Sequence, residues 1–198
     1  MTKEQLKSGI EELLLSTKRE GMTDLLEYLD GIGFYDAPAS SQFHGAYPGA
    51  LAEHSINVYK SALEMYMSLT QFDKDMPDLV DSIKICAILH DVGKCGQFGQ
   101  PLYVPNVLKS GELSTAKPFE INKELMTLPH EIVSCIEVTK FIDLTPDEQR
   151  AIAWHNGLYG AFKYDIQGKE TPLYMIIHFA DLWASRVIET KNKKEDKK

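Results

Sequence analysis

Val80-Asp-Ser-Ile-Lys-Ile-Cys-Ala-Ile-Leu-His90-Asp91-Val-Gly93-Lys94 is the stretch from which the fold of this chain is read. Its first ten residues are too apolar for a helix lying on a surface, so they predict a helix at the centre of an all-α bundle. Pro77 is expected to open that helix, because proline suits a first turn where its missing N–H is not needed. The helix should end on His90-Asp91, with Gly93 as punctuation. An imidazole and a carboxylate side by side at a helix end diverge toward one region, while the helix body fixes their position.

On either side the pattern is also helical. Leu6, Ile10, Leu13 and Leu14 recur at helical spacing, and Leu25, Leu26 and Leu29 do so before Gly31. Residues 33–49 hold Pro38, Pro48, two serines and His44, the composition of an ordered loop. A longer helix is predicted over about residues 50–69, with His54 on the apolar side marked by Leu51, Ile56, Tyr59 and Leu63. Residues 96–122 change to glycine, proline and aromatics around Ser110-Gly111, which reads as a small β-hairpin or lid. Helix resumes over about 128–141. Thr145-Pro146-Asp147-Glu148 is a capping box with proline at its first helical position, and Gly157 stops that helix just after His155. Thr171-Pro172 opens the last helix, which carries His178 and Asp181 about one turn apart. The organisation expected is an N-terminal helix over 1–21 packed on a main domain of 22–190, then a solvated charged tail over 191–198.

Composition narrows the function. With 43% hydrophobic and 25% charged residues, a chain of 198 residues can bury a continuous core without staples. The polar N-terminus lacks the apolar run of a signal peptide, and no stretch approaches the ~18 residues of a membrane span, so no membrane association and a cytoplasmic address are expected. Cys86, Cys95 and Cys135 make no CxxC pair, which suits a reducing compartment. A net charge of −8 argues against binding long nucleic acid, although a small anionic substrate is compatible if metal ions supply local positive charge.

Four of the six histidines and two aspartates fall in an order that metal sites use: His54, His90-Asp91, His130, His155 and Asp181. Each belongs to a different helix or helix end, the doublet sharing one. Imidazole nitrogen combined with carboxylate suits Mn, Fe, Ni or Zn better than the hard cations Ca and Mg. His178 is left out of this set, since a core position on an apolar helix explains it equally well. Cys95, close to the doublet, reads better as a buried thiol than as a ligand.

At His54, His90-Asp91 and Asp181 the sequence resembles the HD superfamily, whose members bind metal through a histidine, a His-Asp doublet and a distal aspartate in an all-helical fold. The stretch Phe43-His44-Gly-Ala-Tyr-Pro-Gly49-Ala-Leu-Ala-Glu-His54-Ser resembles the entry to the first ligand helix, and Leu89-His90-Asp91-Val-Gly93-Lys94 resembles the doublet. His130 and His155 are similar in order to the extra histidines of members with two metals. The Gly-Tyr-Pro signature of one such group is absent after Asp91, which leaves a cyclic-dinucleotide substrate unsupported.

The resemblance implies a metal-dependent phosphohydrolase or phosphodiesterase with two divalent transition-metal ions, which hydrolyses a phosphate ester of a nucleotide or short oligonucleotide by a metal-activated hydroxide. Asp91 is the candidate bridging carboxylate and Lys94 the cation beside the phosphate, the two catalytic candidates. His44, Lys94, Arg186 and Tyr159 are the substrate-binding candidates. Tyr103, Trp154 and Phe162 are further aromatics that either stack on a base or pack under a lid. Two other readings use the same ligands: a diiron oxygenase, and a nucleotide-binding sensor without catalysis.

Overall fold

A computed structural model describes residues 1–43, 45–126 and 128–190. His44 and the 191–198 tail, for which substrate binding and a solvated tail were expected, lie outside the described residues. Seven α-helices are described: α1 Lys3–Leu15, α2 Met22–Gly31, α3 Ala50–Phe72, α4 Val80–Leu89, α5 His130–Val138, α6 Pro146–Trp154 and α7 Pro172–Trp183. A single antiparallel hairpin joins β1 Tyr103–Pro105 to β2 Phe119–Ile121, with Val104 opposite Glu120. The all-α bundle with a hairpin insertion, read from periodicity, is the fold observed.

α4 lies at the centre. Ile83, Ile85, Cys86, Ala87, Ile88 and Leu89 are all fully buried, and the helix packs against α1, α3, α6 and α7. Three isoleucines in ten residues are no strong helix formers, so burial of Ile83 and of residues 85–89 rather than local propensity holds this segment helical. Its start differs from expectation: Pro77 precedes the helix by three residues. The Tyr66 hydroxyl donates to the Pro77 carbonyl and the Asp78 carboxylate accepts from Val80 N, so these side chains hold the segment that leads into the helix. α5 is likewise shorter than 128–141, running from Pro129, whose ψ of 131° is extended, to Thr139, whose hydroxyl bonds back to the Cys135 carbonyl.

The predicted capping box at Thr145 is present and extends beyond its own helix. Thr145 Oγ1 accepts from Glu148 N, and Glu148 Oε2 accepts from Thr145 N at 2.8 Å. The other carboxylate oxygen accepts from Arg19 at 2.9 Å and from Ser82 Oγ at 2.9 Å. One buried glutamate thereby ties the α1–α2 turn, α4 and α6 together. The loop over 33–49 is held by Ala39 N donating to Gly45 O and Gly49 N donating to Asp36 O, and Phe119 N of the hairpin donates to Ser41 O across it. No described helix is long and apolar enough to cross a membrane.

Candidate metal centre

The bundle brings the six candidate ligands to one point. His54 comes from the second turn of α3, His90 caps the C-terminus of α4 and Asp91 follows it, His130 opens α5, His155 caps α6 and Asp181 sits in the last turn of α7. Asp91 Oδ2 lies 3.3 Å from His90 Nε2 and 3.6 Å from His54 Nε2, while Asp91 Oδ1 lies 3.0 Å from His130 Nε2 and 3.5 Å from His155 Nε2. Asp181 Oδ1 is 3.1 Å from His54 Nε2. Two groups have donor atoms close enough to share an ion: His54, His90 and Asp181, and His90, Asp91 and His155.

The hydrogen bonds around the imidazoles show that these residues fit a cation. His90 Nδ1 sits 3.0 Å from the Ala87 carbonyl and His155 Nδ1 sits 2.8 Å from the Ile152 carbonyl. A carbonyl only accepts, so each Nδ1 carries hydrogen, and each ring that holds no second proton turns an Nε2 lone pair inward. Those lone pairs face the Asp91 carboxylate, whose buried Oδ1 accepts no hydrogen bond of good geometry. Acceptors packed against acceptors out of water are costly unless a cation lies among them.

The electrostatics agree. Burial opposes ionisation of Asp91, but Lys94 and His90 outweigh it and hold the carboxyl well below the usual carboxylate range. Asp181 is also low, its burial outweighed by His54. Burial lowers His90, the effect that keeps its ring neutral, whereas at His155 the Asp91 carboxylate outweighs burial and raises the imidazole. His54 shows the opposite result: burial works against its charged form, yet Asp181 and Glu189 push it up to about 10. A metal at this point takes the place of that proton, because binding to an imidazole nitrogen requires its lone pair.

Lys94 Nζ lies 2.6 Å from Asp91 Oδ2, and Asp91 outweighs burial in raising its pKa. Lys94, Asp181 and His178 line a cleft of about 120 Å³ together with Asn156, Tyr159 and Arg186. Arg186 and Tyr159 thus line the same cleft, the guanidinium 5.9 Å from the ring centroid. Of the remaining aromatics, Trp154 and Phe162 pack against the core, whereas Tyr103 lies near enough to Lys94 for the two to influence each other's titration. Cys95 turns away into a separate cleft with Tyr28 and Gly96, and it belongs to neither metal-competent group.

Several further residues support the ligands. Ser134 accepts from Gly93 N and donates to the His130 carbonyl, which clamps the doublet turn to the start of α5. His178 Nδ1 lies 2.7 Å from the His155 carbonyl and holds that ligand's backbone rather than an ion. Glu131 Oε2 lies 3.3 Å from His130 Nδ1, and Glu189 Oε1 lies 2.8 Å from His54 Nδ1. In the sequence, His178 is open to a supporting role because it precedes Asp181 by three residues, and Glu131 stands next to a ligand; Ser134 and Glu189 carry no such mark.

A family model described as HD domain matches residues 51–182, a span that takes in all six candidate ligands and most of the bundle. The chain belongs to the HD domain family, within a superfamily of metal-dependent hydrolases. No curated protein and no solved structure shows a significant match.

Proposed function

We propose that this chain is a phosphohydrolase or phosphodiesterase that cleaves a phosphate ester of a nucleotide or short oligonucleotide at a site for two divalent transition-metal ions. The observation that carries the reading is the position of Asp91: each of its two oxygens faces a different pair of imidazoles, His54 and His90 on one side, His130 and His155 on the other. His54, His90, Asp91 and Asp181 would hold one ion, and Asp91, His130 and His155 the other. Two such ions, when bound, lower the pKa of a water and neutralise charge building on a phosphoryl group.

The protein's own groups supply the rest. Lys94 sets the orientation of Asp91 and brings a fixed positive charge to the cleft floor, where a phosphoryl oxygen gains charge during hydrolysis. Arg186, exposed at the cleft mouth beside the ring of Tyr159, is placed to pair with a second anionic group while the ring packs on a base. A chain of net charge −8 needs such local cations to admit an anionic substrate.

Protein loaded with Mn or Fe should release p-nitrophenol from bis(p-nitrophenyl) phosphate or phosphate from a nucleotide panel. Asp91→Ala should abolish both the turnover and the metal content. Metal-replete protein that turns over nothing across nucleotide, cyclic-nucleotide and oligonucleotide panels would remove the reading.

A further inference from the structure

Glu189 lies beyond the matched family span, eight residues after Asp181, yet both carboxylates meet the same imidazole. In an unbroken α-helix a residue eight positions on points about 80° away from the first, because successive residues turn by about 100°. Residues Ala184–Ile188 form a π-helical turn instead. Such a turn bonds i to i+5 and absorbs one extra residue, so the eighth position returns to about where a seventh would fall, within about 20° of Asp181. Asp181 therefore reaches His54 Nε2 at 3.1 Å while Glu189 reaches His54 Nδ1 at 2.8 Å.

Glu189 is a costly choice at this place. Its side chain is only 11% exposed, and a carboxylate held out of water is unfavourable unless it is paired and hydrogen-bonded. Asn57, one turn beyond His54 on α3, donates to the same Oε1 at 3.3 Å and fixes the carboxylate in place. His90 and His155 have their outer nitrogens satisfied by carbonyls of their own helices. His54 stands in the second turn of α3, where the preceding carbonyls are used in the helix ladder, rather than at a helix C-terminus, so its outer nitrogen finds its partner on another element.

We propose that Glu189 is a positioning residue for the metal: it accepts the Nδ1–H of His54, fixes the ring with Nε2 facing Asp181 and Asp91, and makes that nitrogen a stronger ligand. This rests on the metal site under Proposed function and adds to it a residue supplied by the π-helical turn. Carboxylates that orient a ligating imidazole in this way commonly contribute 10- to 100-fold to metal affinity.

The test is titration of Co(II) into chelator-treated full-length protein, followed by the visible absorption of the bound ion, together with thermal melting of the metal-free forms. Glu189→Ala should bind Co(II) about 10- to 100-fold more weakly than the parent, and a cooperative melt of its metal-free form shows that the variant is folded. Glu189→Gln, which keeps an oxygen acceptor for Nδ1–H, should recover most of the affinity and guards against an alanine variant that does not fold. Parental affinity in Glu189→Ala, or a glutamine variant no better than the alanine one, overturns this inference alone. A parent that takes up no Co(II) overturns the metal reading with it.

Discussion

Gly93 has no room for a side chain. A Cβ at that position would lie 2.1 Å from the His130 carbonyl oxygen and 2.9 Å from Ser134 N, both backbone atoms that cannot swing aside. The doublet turn and the first turn of α5 approach this closely because Gly93 N donates to Ser134 Oγ. Gly93→Ala must therefore push α5 outward and carry His130 away from Asp91. The expected outcome is a loss of about 1–3 kcal/mol of stability, as overpacking commonly costs, and a fall in bound metal. Thermal melting and elemental analysis of the same sample check both. Gly157 shows a related constraint: its φ of +54° favours glycine, and a Cβ there would strike the ring of His178 that holds the His155 carbonyl. In the sequence both glycines read as punctuation. Their closeness to ligand-bearing backbone could not be read there, since it depends on segments 37 and 21 residues away.

At the scale of elements, helix ends carry most of the site. His90 and His155 are both C-caps whose Nδ1 atoms turn back to carbonyls three residues earlier, Ala87 and Ile152. That local bond aims Nε2 forward off the end of the helix, which is why two helix termini can serve one centre. The capping box of α6 governs where His155 stands. Glu148 is depressed below its ordinary value of 4.5: burial opposes ionisation, but Arg19, the Thr145 backbone and Ser82 outweigh it. A carboxylate with a lowered folded pKa adds stability above its unfolded value and loses that contribution as the pH falls through the folded one. Stability of the parent should therefore decline on acidification below about pH 4.5, while Glu148→Gln should show a shallower decline. At neutral pH the glutamine variant should be less stable by about 2 kcal/mol, less than a fully buried pair because Arg19 is a quarter exposed. Urea midpoints for both proteins across pH 3–7 check the sign; parallel curves would reject it.

For the molecule as a whole, the site closes the bundle. Its six candidate ligands come from α3, α4 and its exit turn, α5, α6 and α7, so an ion bound there joins segments more than 120 residues apart in the chain. Binding only to the folded state stabilises it by about 2.7 kcal/mol at a free metal concentration 100 times Kd. In a domain of this size that corresponds to roughly 5–10 °C. Treatment with a chelator should lower the melting temperature by that amount and readdition of Mn or Co should restore it, as calorimetry would show. An unchanged transition would mean that the imidazoles and carboxylates hold each other without an ion.

Sequence alone determined the helical class and the position of α4, because the apolar run over 85–89 leaves that end of the helix no solvent face. It also determined the capping box at Thr145 and the residue types able to bind a metal, since these follow from spacing and side-chain chemistry within a few positions. Packing decided which nitrogen each imidazole presents, that Cys95 turns away, and that His178 supports a ligand. The π-helical turn likewise brings Glu189 back to the face of Asp181. The physical reason is range: periodicity reports contacts within one helix, whereas the direction of a lone pair at this centre is set by hydrogen bonds and close approaches between helices distant in the chain.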